Sequence, residues 1–360
     1  MNITYYSISY QSRLVICIRC NAYKKHLTQK SKWEIIGKMT IVGKDLAQIY
    51  QVNDNDIGQR LDNFLLRNLK GVPNSRIYRM IRSGEVRINK KRADANTKLQ
   101  LNDLIRIPPI RTAEKNLSGR LFGSMESLKH NFQIVFEDDY LLVIDKPSGI
   151  AVHGGSGISL GVIEQLRQMR PDARYLELIH RLDKDTSGLL MIAKKRSALV
   201  KIHEQLRQNH PQKFYLALCS PNWRDEVKHV KLPLIKYTGA AGEKMVRVNQ
   251  QNGQYAHTIF RIQENFANAT LMEAELKTGR THQIRVHMQS QNCPILGDER
   301  YGNYTNNRLW AKQYGLKRMF LHATRLIINH PITNEKLTLI AKLPDDLQQL
   351  INILRNENNL

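Results

Sequence analysis

His180-Arg181-Leu182-Asp183-Lys184-Asp185-Thr186-Ser187-Gly188-Leu189-Leu190 is a dense polar stretch that runs straight into the apolar segment Leu189-Leu190-Met191-Ile192-Ala193. Two cations, two carboxylates and two hydroxyls fall within its first eight residues. Polar density that ends against a buried-looking strand predicts a site loop held on a rigid element. Lys194-Lys195 then fits a short core strand leaving the interior. The competing reading is a plain surface turn ahead of that strand.

Downstream of the loop, Leu199, Ile202 and Leu206 mark a helix through about Gln208. Lys213 to Leu218 alternates as a strand, and so do Phe260 to Ile262 and Thr270 to Leu276. In Thr278-Gly279-Arg280-Thr281-His282-Gln283-Ile284-Arg285-Val286-His287-Met288, Thr281 is placed to cap a helix whose inward side carries Ile284 and Met288. Leu321 to Ile328 and Leu337 to Ala341 are further strands, and Asp345 to Arg355 is a closing amphipathic helix. Upstream, Arg174 to Ile179 is expected to be the strand that delivers His180. Val162 to Arg167 fits a helix; Phe132 to Phe136 and Tyr140 to Ile144 fit two strands, the second ended by Lys146-Pro147-Ser148-Gly149. The glycine-rich run from Gly154 to Gly157 lacks the Gly-Lys-Ser/Thr of a Walker loop, so no nucleoside triphosphate site is expected. Helices and strands mix without a βαβ rhythm, which predicts an α+β fold on mostly antiparallel sheet.

Residues 57–110 have another character. Ile57, Leu61, Phe64, Leu65 and Leu69 form a helical stripe, broken at Val72-Pro73-Asn74-Ser75, with Ser75 as the expected cap of a second helix. There Ile77, Met80 and Ile81 make the apolar face, and Arg76, Arg79 and Arg82 recur every third residue on another. Glu85 to Asn89 alternates as a strand, followed by Lys90-Lys91-Arg92 and a strand from Leu104 to Ile107. Twelve Lys or Arg against four acids predict an RNA-binding module; a solvated basic helix is the alternative. The chain then divides into a basic tail at 1–38, a lead-in at 39–56, this module at 57–110, a linker at 111–130, a second domain at 131–345 and a terminal helix and tail at 346–360. The tail is either mobile or an extension ahead of a natural start at Met39.

The whole composition agrees with a polyanionic partner. There are 55 basic and 32 acidic residues, a net charge of +23, which suits RNA or DNA, although an ordinary basic protein is the bland alternative. Across 360 residues, room for two or three domains, no apolar run reaches the roughly 18 needed to cross a bilayer. Leu14 to Ile18 is too short for a secretory signal and ends at Arg19. The four scattered cysteines suit a reducing cytoplasm. Cys17 and Cys20 have zinc-like spacing but no second pair, so no metal is expected.

From His180 to Gly188 the chain resembles H-R-L-D-x-x-T-S-G, the signature of the RluA-type pseudouridine synthases. Thr278 to His287 is similar to that family's T-G-R-T-H-Q-I-R-V-H motif, and Lys146 to Gly149 to its K-P-x-G mark. The resemblance covers residues 57–345. It implies that Asp183 is the catalytic aspartate, that Tyr215, 32 residues on, is the family's tyrosine, and that Arg285 partners Asp183. It implies a mixed-sheet synthase core with a central cleft, preceded by an S4-like domain. The glycine-rich run resembles the C-type large-subunit members, which implies 23S (large-subunit) ribosomal RNA as partner, without cofactor, obligate protein partner or membrane. Monomer is the default state. Arg181, Arg280 and His282, with Arg76, Arg79, Arg82, Lys90 and Lys91, are the expected RNA contacts.

The chemistry is consistent with one acid. Glycoside hydrolases normally use two carboxylates, one to protonate the leaving group. Uracil leaves as a delocalised anion and must be retained, so a single carboxylate in a closed pocket is a sensible minimum. Attack on the sugar and removal of its 2′ proton both remain open for Asp183. Tyr215 is suited to stack on the base or assist proton transfer, or else it is a core tyrosine. Arg181 suits the gap left by a flipped base, or a salt bridge to Asp185 or a phosphate contact. Two further readings stay open: a non-catalytic RNA-binding ribosome-assembly factor, and a metal-dependent nuclease using Asp183 with Asp185, which the lack of clustered acids disfavours.

Overall fold

The computed structural model describes residues 47–69, 71–110, 131–154, 160–221, 223, 227–239 and 242–358. The expectations for the tail, the linker and Gly155 to Gly157 lie outside those residues. The first described unit is β1 (Gln48–Gln51), α1 (Leu61–Asn68), α2 (Asn74–Arg82), β2 (Arg87–Ile88), β3 (Lys91–Arg92) and β4 (Leu104–Ile107). Its strands form an antiparallel sheet in the order β1-β4-β2-β3. Leu61, Phe64, Leu65, Ile77, Met80 and Ile81 pack with Val86, Ile105 and Ile107 into one small core.

Four expectations shift here. The unit begins before residue 57, because Tyr50 and Val52 are buried in the same core and β1 pairs with β4. Helix α1 starts only at Leu61, four residues after Ile57, which is itself exposed. Ser75 does not cap α2. The cap is Pro73, whose carbonyl accepts from the N–H groups of Arg76 and Ile77 and whose φ of −58° is already suited to a helix start. Arg76 also leaves the expected row, since it is tied to the Glu85 carboxylate by two hydrogen bonds of 3.1 and 2.8 Å.

The larger unit continues with β5 (Gln133–Glu137), β6 (Leu141–Lys146), α3 (Val162–Met169), β7 (Glu177–Leu178), β8 (Ser187–Ala193), α4 (Arg196–Arg207) and β9 (Gln212–Cys219). Then come β10 (Val227–Val230), β11 (Leu234–Thr238), β12 (Lys244–Val248), β13 (Thr258–Asn265), β14 (Thr270–Leu276) and α5 (Gln283–Ser290). It closes with α6 (Tyr304–Tyr314), β15 (Leu321–Asn329), β16 (Lys336–Ile340) and α7 (Asp345–Asn358). Ten strands form one mixed sheet, β10-β13-β14-β9-β15-β8-β6-β5, with β16 beside β15 and β7 beside β8. The strands β11 and β12 make a separate hairpin. The expected α+β class holds: every pairing of the large sheet is antiparallel except β15 with β8.

That parallel seam lies in the middle of the sheet, and the signature loop enters there. Strand β8 is buried along its whole length, as its apolar run requires. Gly188 sits at φ +111° opposite Ala323, and a Cβ there would fall 2.3 Å from the Ala323 carbonyl oxygen. Only glycine lets the two backbones pass so closely. Helix α7 buries Leu347, Leu350, Ile351 and Leu354 against Phe320, Leu271 and Trp310, so it is packed into the same unit rather than set apart from residue 346.

The strand expected at 174–179 is reduced to the two residues of β7. Ile179 still donates its N–H to the Met191 carbonyl at 3.1 Å, but the next rung is made by a side chain. The Met191 N–H donates to His180 Nε2, also at 3.1 Å. An imidazole replaces the backbone partner, and the chain is free to turn into the loop.

Candidate active site

The loop after His180 is anchored chiefly through its backbone. A tight turn joins the Thr186 N–H to the Asp183 carbonyl at 3.2 Å. The Lys184 carbonyl accepts from the Gly149 N–H at 2.9 Å and from Lys146 Nζ at 3.0 Å. The Asp185 carbonyl accepts from the Ser148 hydroxyl at 2.7 Å. The Lys-Pro-Ser-Gly segment at the end of β6 is thus a clamp on the signature loop. Lys146 is fully buried, and its ammonium spends its other two donors on the Pro147 and Ile150 carbonyls. Burial pulls its pKa down to about 7, against the pull of Asp185 and Asp183. Three carbonyl acceptors match the three donors of the charged form.

Asp183 faces a cavity of about 390 Å³ between this loop, β9 and the start of α5. Arg285 Nη1 donates to Asp183 Oδ2 at 3.2 Å. The expected pair is therefore present, but it is the lesser half of what Arg285 does. Its Nε and Nη2 bind both oxygens of Asp298 at 2.7 and 2.8 Å, with the Asp298 side chain wholly buried. Asp298 also accepts from the N–H groups of Arg300 and Tyr301. Burial disfavours the Arg285 charge, but the hydrogen bonds to Asp298 and the field of Asp183 outweigh it and its pKa moves up. No local pattern in the sequence marks Asp298 as a partner of Arg285, since the two lie on different elements.

Helix α5 does not begin with a Thr281 cap. Its cap is His282, in the left-handed conformation at φ 53° and ψ 20°. No side chain caps the first turn; instead the Gln283 Oε1 accepts from the Arg280 N–H at 3.0 Å and the Thr278 hydroxyl at 2.8 Å, which ties down the segment leading into the helix. That turn brings His282 Nε2 to 3.8 Å from Asp183 Oδ2. Both neighbours thus approach the same oxygen, and among the described residues nothing hydrogen-bonds to Oδ1.

Tyr215 is 7% exposed in the cavity wall. Burial, and secondarily Asp183, push its phenol well above the ordinary range, so the hydroxyl keeps its proton. Lys213 also lines the cavity, two residues earlier on β9, and burial lowers its pKa. Arg181 and Arg280 reach the cavity lining as well. Arg181 is exposed, and among the described residues no salt bridge joins it to Asp185. The other histidines have their own partners. Burial holds His180 near pKa 4, and His287 lies between the Thr258 hydroxyl and the Leu232 carbonyl. Arg79, Arg82, Lys90 and Lys91 all lie exposed on the small unit.

Residues 140–290 match the family model described as RNA pseudouridylate synthase, and residues 59–105 match the S4 domain. Over 316 residues the chain is 50% identical to the ribosomal large subunit pseudouridine synthase C of Pasteurella multocida, covering 87% of this chain and 95% of that one. The chain belongs to the RNA pseudouridylate synthase family. The synthase of the same name from Escherichia coli K12 is 49% identical over 311 residues, 86% of this chain and 97% of its own. Among solved structures, the human RNA pseudouridylate synthase domain containing 4 superposes with a TM-score of 0.52 at 27% identity, over 62% of this chain and 93% of that one. All the residues lining the cavity around Asp183 except Leu321 lie within the matched family region, and the exposed arginines of α2 lie within the S4 match.

Proposed function

We propose that this chain converts uridine to pseudouridine in large-subunit ribosomal RNA, with Asp183 as its catalytic carboxylate. The observation that carries the reading is one partly exposed carboxylate, alone in its cavity, with a buried guanidinium on one oxygen and the other oxygen open. Half-identity to synthases named for the large ribosomal subunit, over most of both chains, supports the substrate.

The reaction is an isomerisation. The N1–C1′ bond of uridine breaks, C5 bonds to C1′, the C5 proton leaves and N1 gains one. Asp183 Oδ1 is the open oxygen, suited either to attack C1′ or to take the 2′ proton. Arg285 supplies positive charge to Oδ2 from a fixed position, so no reorganisation is needed as the reaction proceeds. Tyr215, protonated and set in the cavity wall, packs against the extruded base. Arg181 fills the vacated stack, where a planar cation tolerates any neighbouring base. No histidine of the cavity is needed as an acid, because the departing uracil anion is delocalised.

The test is position-resolved pseudouridine mapping of unmodified large-subunit ribosomal RNA incubated with the purified chain. Wild type is expected to modify discrete uridines, and Asp183→Asn to leave them unmodified while still binding RNA. Normal conversion by Asp183→Asn would remove the reading.

A further inference from the structure

We infer that Tyr301 and His282 form a positioning relay that fixes which oxygen of Asp183 reacts. The inference rests on Asp183 being the catalytic carboxylate. It starts from the Tyr301 hydroxyl, on a ring only 4% exposed. That oxygen accepts the Val246 N–H of strand β12 at 2.9 Å and lies 2.7 Å from His282 Nδ1. Among the described residues the hydroxyl has no other acceptor, and a buried hydroxyl proton is not left unpaired. Its proton therefore goes to Nδ1, and the imidazole carries its own hydrogen on Nε2.

The far side of the ring gives the same answer. Nε2 faces Asp183 Oδ2 at 3.8 Å. The opposite tautomer would aim a lone pair at the carboxylate, whereas this one aims an N–H. Burial keeps the imidazole neutral; Asp183 and Asp298 pull its pKa up, Arg285 and Arg300 pull it down, and the net movement is downward. The contact needs no second cation.

Tyr301 also supports the other group on Oδ2, since the Arg285 guanidinium lies over its ring at 4.9 Å from the centroid. One aromatic side chain thus braces both neighbours of a single carboxylate oxygen. A left-handed backbone at a histidine has a cost, and it is kept where surrounding contacts fix it. Here it turns the ring back from the helix start toward Asp183. His282 and Tyr301 are positioning residues: they hold Oδ2 so that Oδ1 meets the sugar.

Two substitutions at His282 separate this from a merely structural role. Glutamine reaches as far as Nε2 and keeps a donor toward Asp183. Asparagine reaches only as far as Nδ1, yet it is the residue that best tolerates a left-handed backbone. If the backbone were what mattered, asparagine would be the better replacement. The relay predicts the reverse order.

The assay is steady-state conversion of unmodified large-subunit ribosomal RNA by the full chain, with thermal unfolding of each variant alongside. His282→Gln is expected within about 5-fold of wild-type kcat, and His282→Asn about 30-fold below it, for the loss of an oriented N–H beside Oδ2 that lies outside hydrogen-bond distance in the free protein and closes on the carboxylate in the reacting complex. KM should not move for either variant. Tyr301→Phe should lower kcat in the same direction as His282→Asn, again at constant KM. Equal or better turnover by His282→Asn, or a loss carried by KM with rising salt sensitivity, would overturn the relay and make His282 a phosphate contact. Should wild type itself leave ribosomal uridines unchanged, it is the catalytic reading of Asp183 that fails.

Discussion

Two arginine–carboxylate pairs in this molecule have nearly the same geometry and opposite settings. Arg76 grips Glu85 with two hydrogen bonds, and the side chains are 33% and 36% exposed. Arg285 grips Asp298 with two hydrogen bonds, and the side chains are 6% and 0% exposed. The first pair sits in the S4 region, where water and salt screen it. The second sits under the cavity, where each charge depends on the other. Burial, rather than bond length, therefore separates the two pairs. The basic surface of α2 is adjustable by salt; the buried guanidinium is not.

The hardest test of that contrast is Arg285→Ala. It leaves Asp298 buried without its cation and removes the donor on Asp183 Oδ2. Losing one buried partner typically costs about 3–5 kcal/mol of stability. Losing a fixed donor at a reacting centre typically lowers kcat by about 10²–10³-fold. Thermal unfolding and single-turnover conversion check the two effects. The matching change at the surface, Arg76→Ala, should leave both close to wild type. Similar losses from the two variants would erase the distinction between the pairs.

Much of this contrast was legible in the chain itself, and the missing part has a physical pattern. Local alternation located β14 at Thr270–Leu276 and β4 at Leu104–Ile107 to the residue. Asp183, Tyr215 and Arg285, far apart in sequence, do meet at one cavity. What escaped was every place where a side chain substitutes for backbone. His180 replaces a rung of β7, Gln283 ties the segment ahead of α5 in place of a Thr281 cap on the helix itself, and Lys146 ties three carbonyls around the loop. Such substitutions depend on distant segments arriving together, so no local period records them. Asp298 escaped for the same reason: its partner Arg285 lies on another element.

Acid should break the two regions apart in a defined window. Burial holds His180 and His322 near pKa 4, below the usual histidine value of about 6.5. Both are neutral in the fold, so the unfolded chain binds more protons between those values. Their contribution to stability is complete above about pH 6.5 and is lost as pH falls through 4. A proton on His322 would meet Ser187 Oγ, which already accepts from Arg318 Nη1 at 3.1 Å. The carboxylate Glu137, held at about 2 chiefly by Arg170, withdraws its support only at lower pH. Residues 47–110 contain no histidine. Hydrogen exchange followed from pH 7 to 4 should show the large sheet losing protection while the S4 region keeps its own. Parallel loss in both would mean that these imidazoles do not control the acid response.

The smallest effect belongs to the exposed arginines, and its form matters more than its size. Arg79 and Arg82 stand in water on α2. If their work is to neutralise phosphates, removing both should raise KM a few-fold at moderate salt. The slope of log affinity against log salt should fall by about 1 for each phosphate that no longer meets an arginine. Turnover at saturating RNA should not change, because neither side chain reaches the cavity. Raising the salt should weaken wild type toward the double variant until the two coincide. Arg285→Ala should show the opposite signature, a loss in kcat that no ionic strength restores. An α2 variant that loses kcat instead would tie the S4 surface to the chemistry, and the two kinds of arginine would no longer be two.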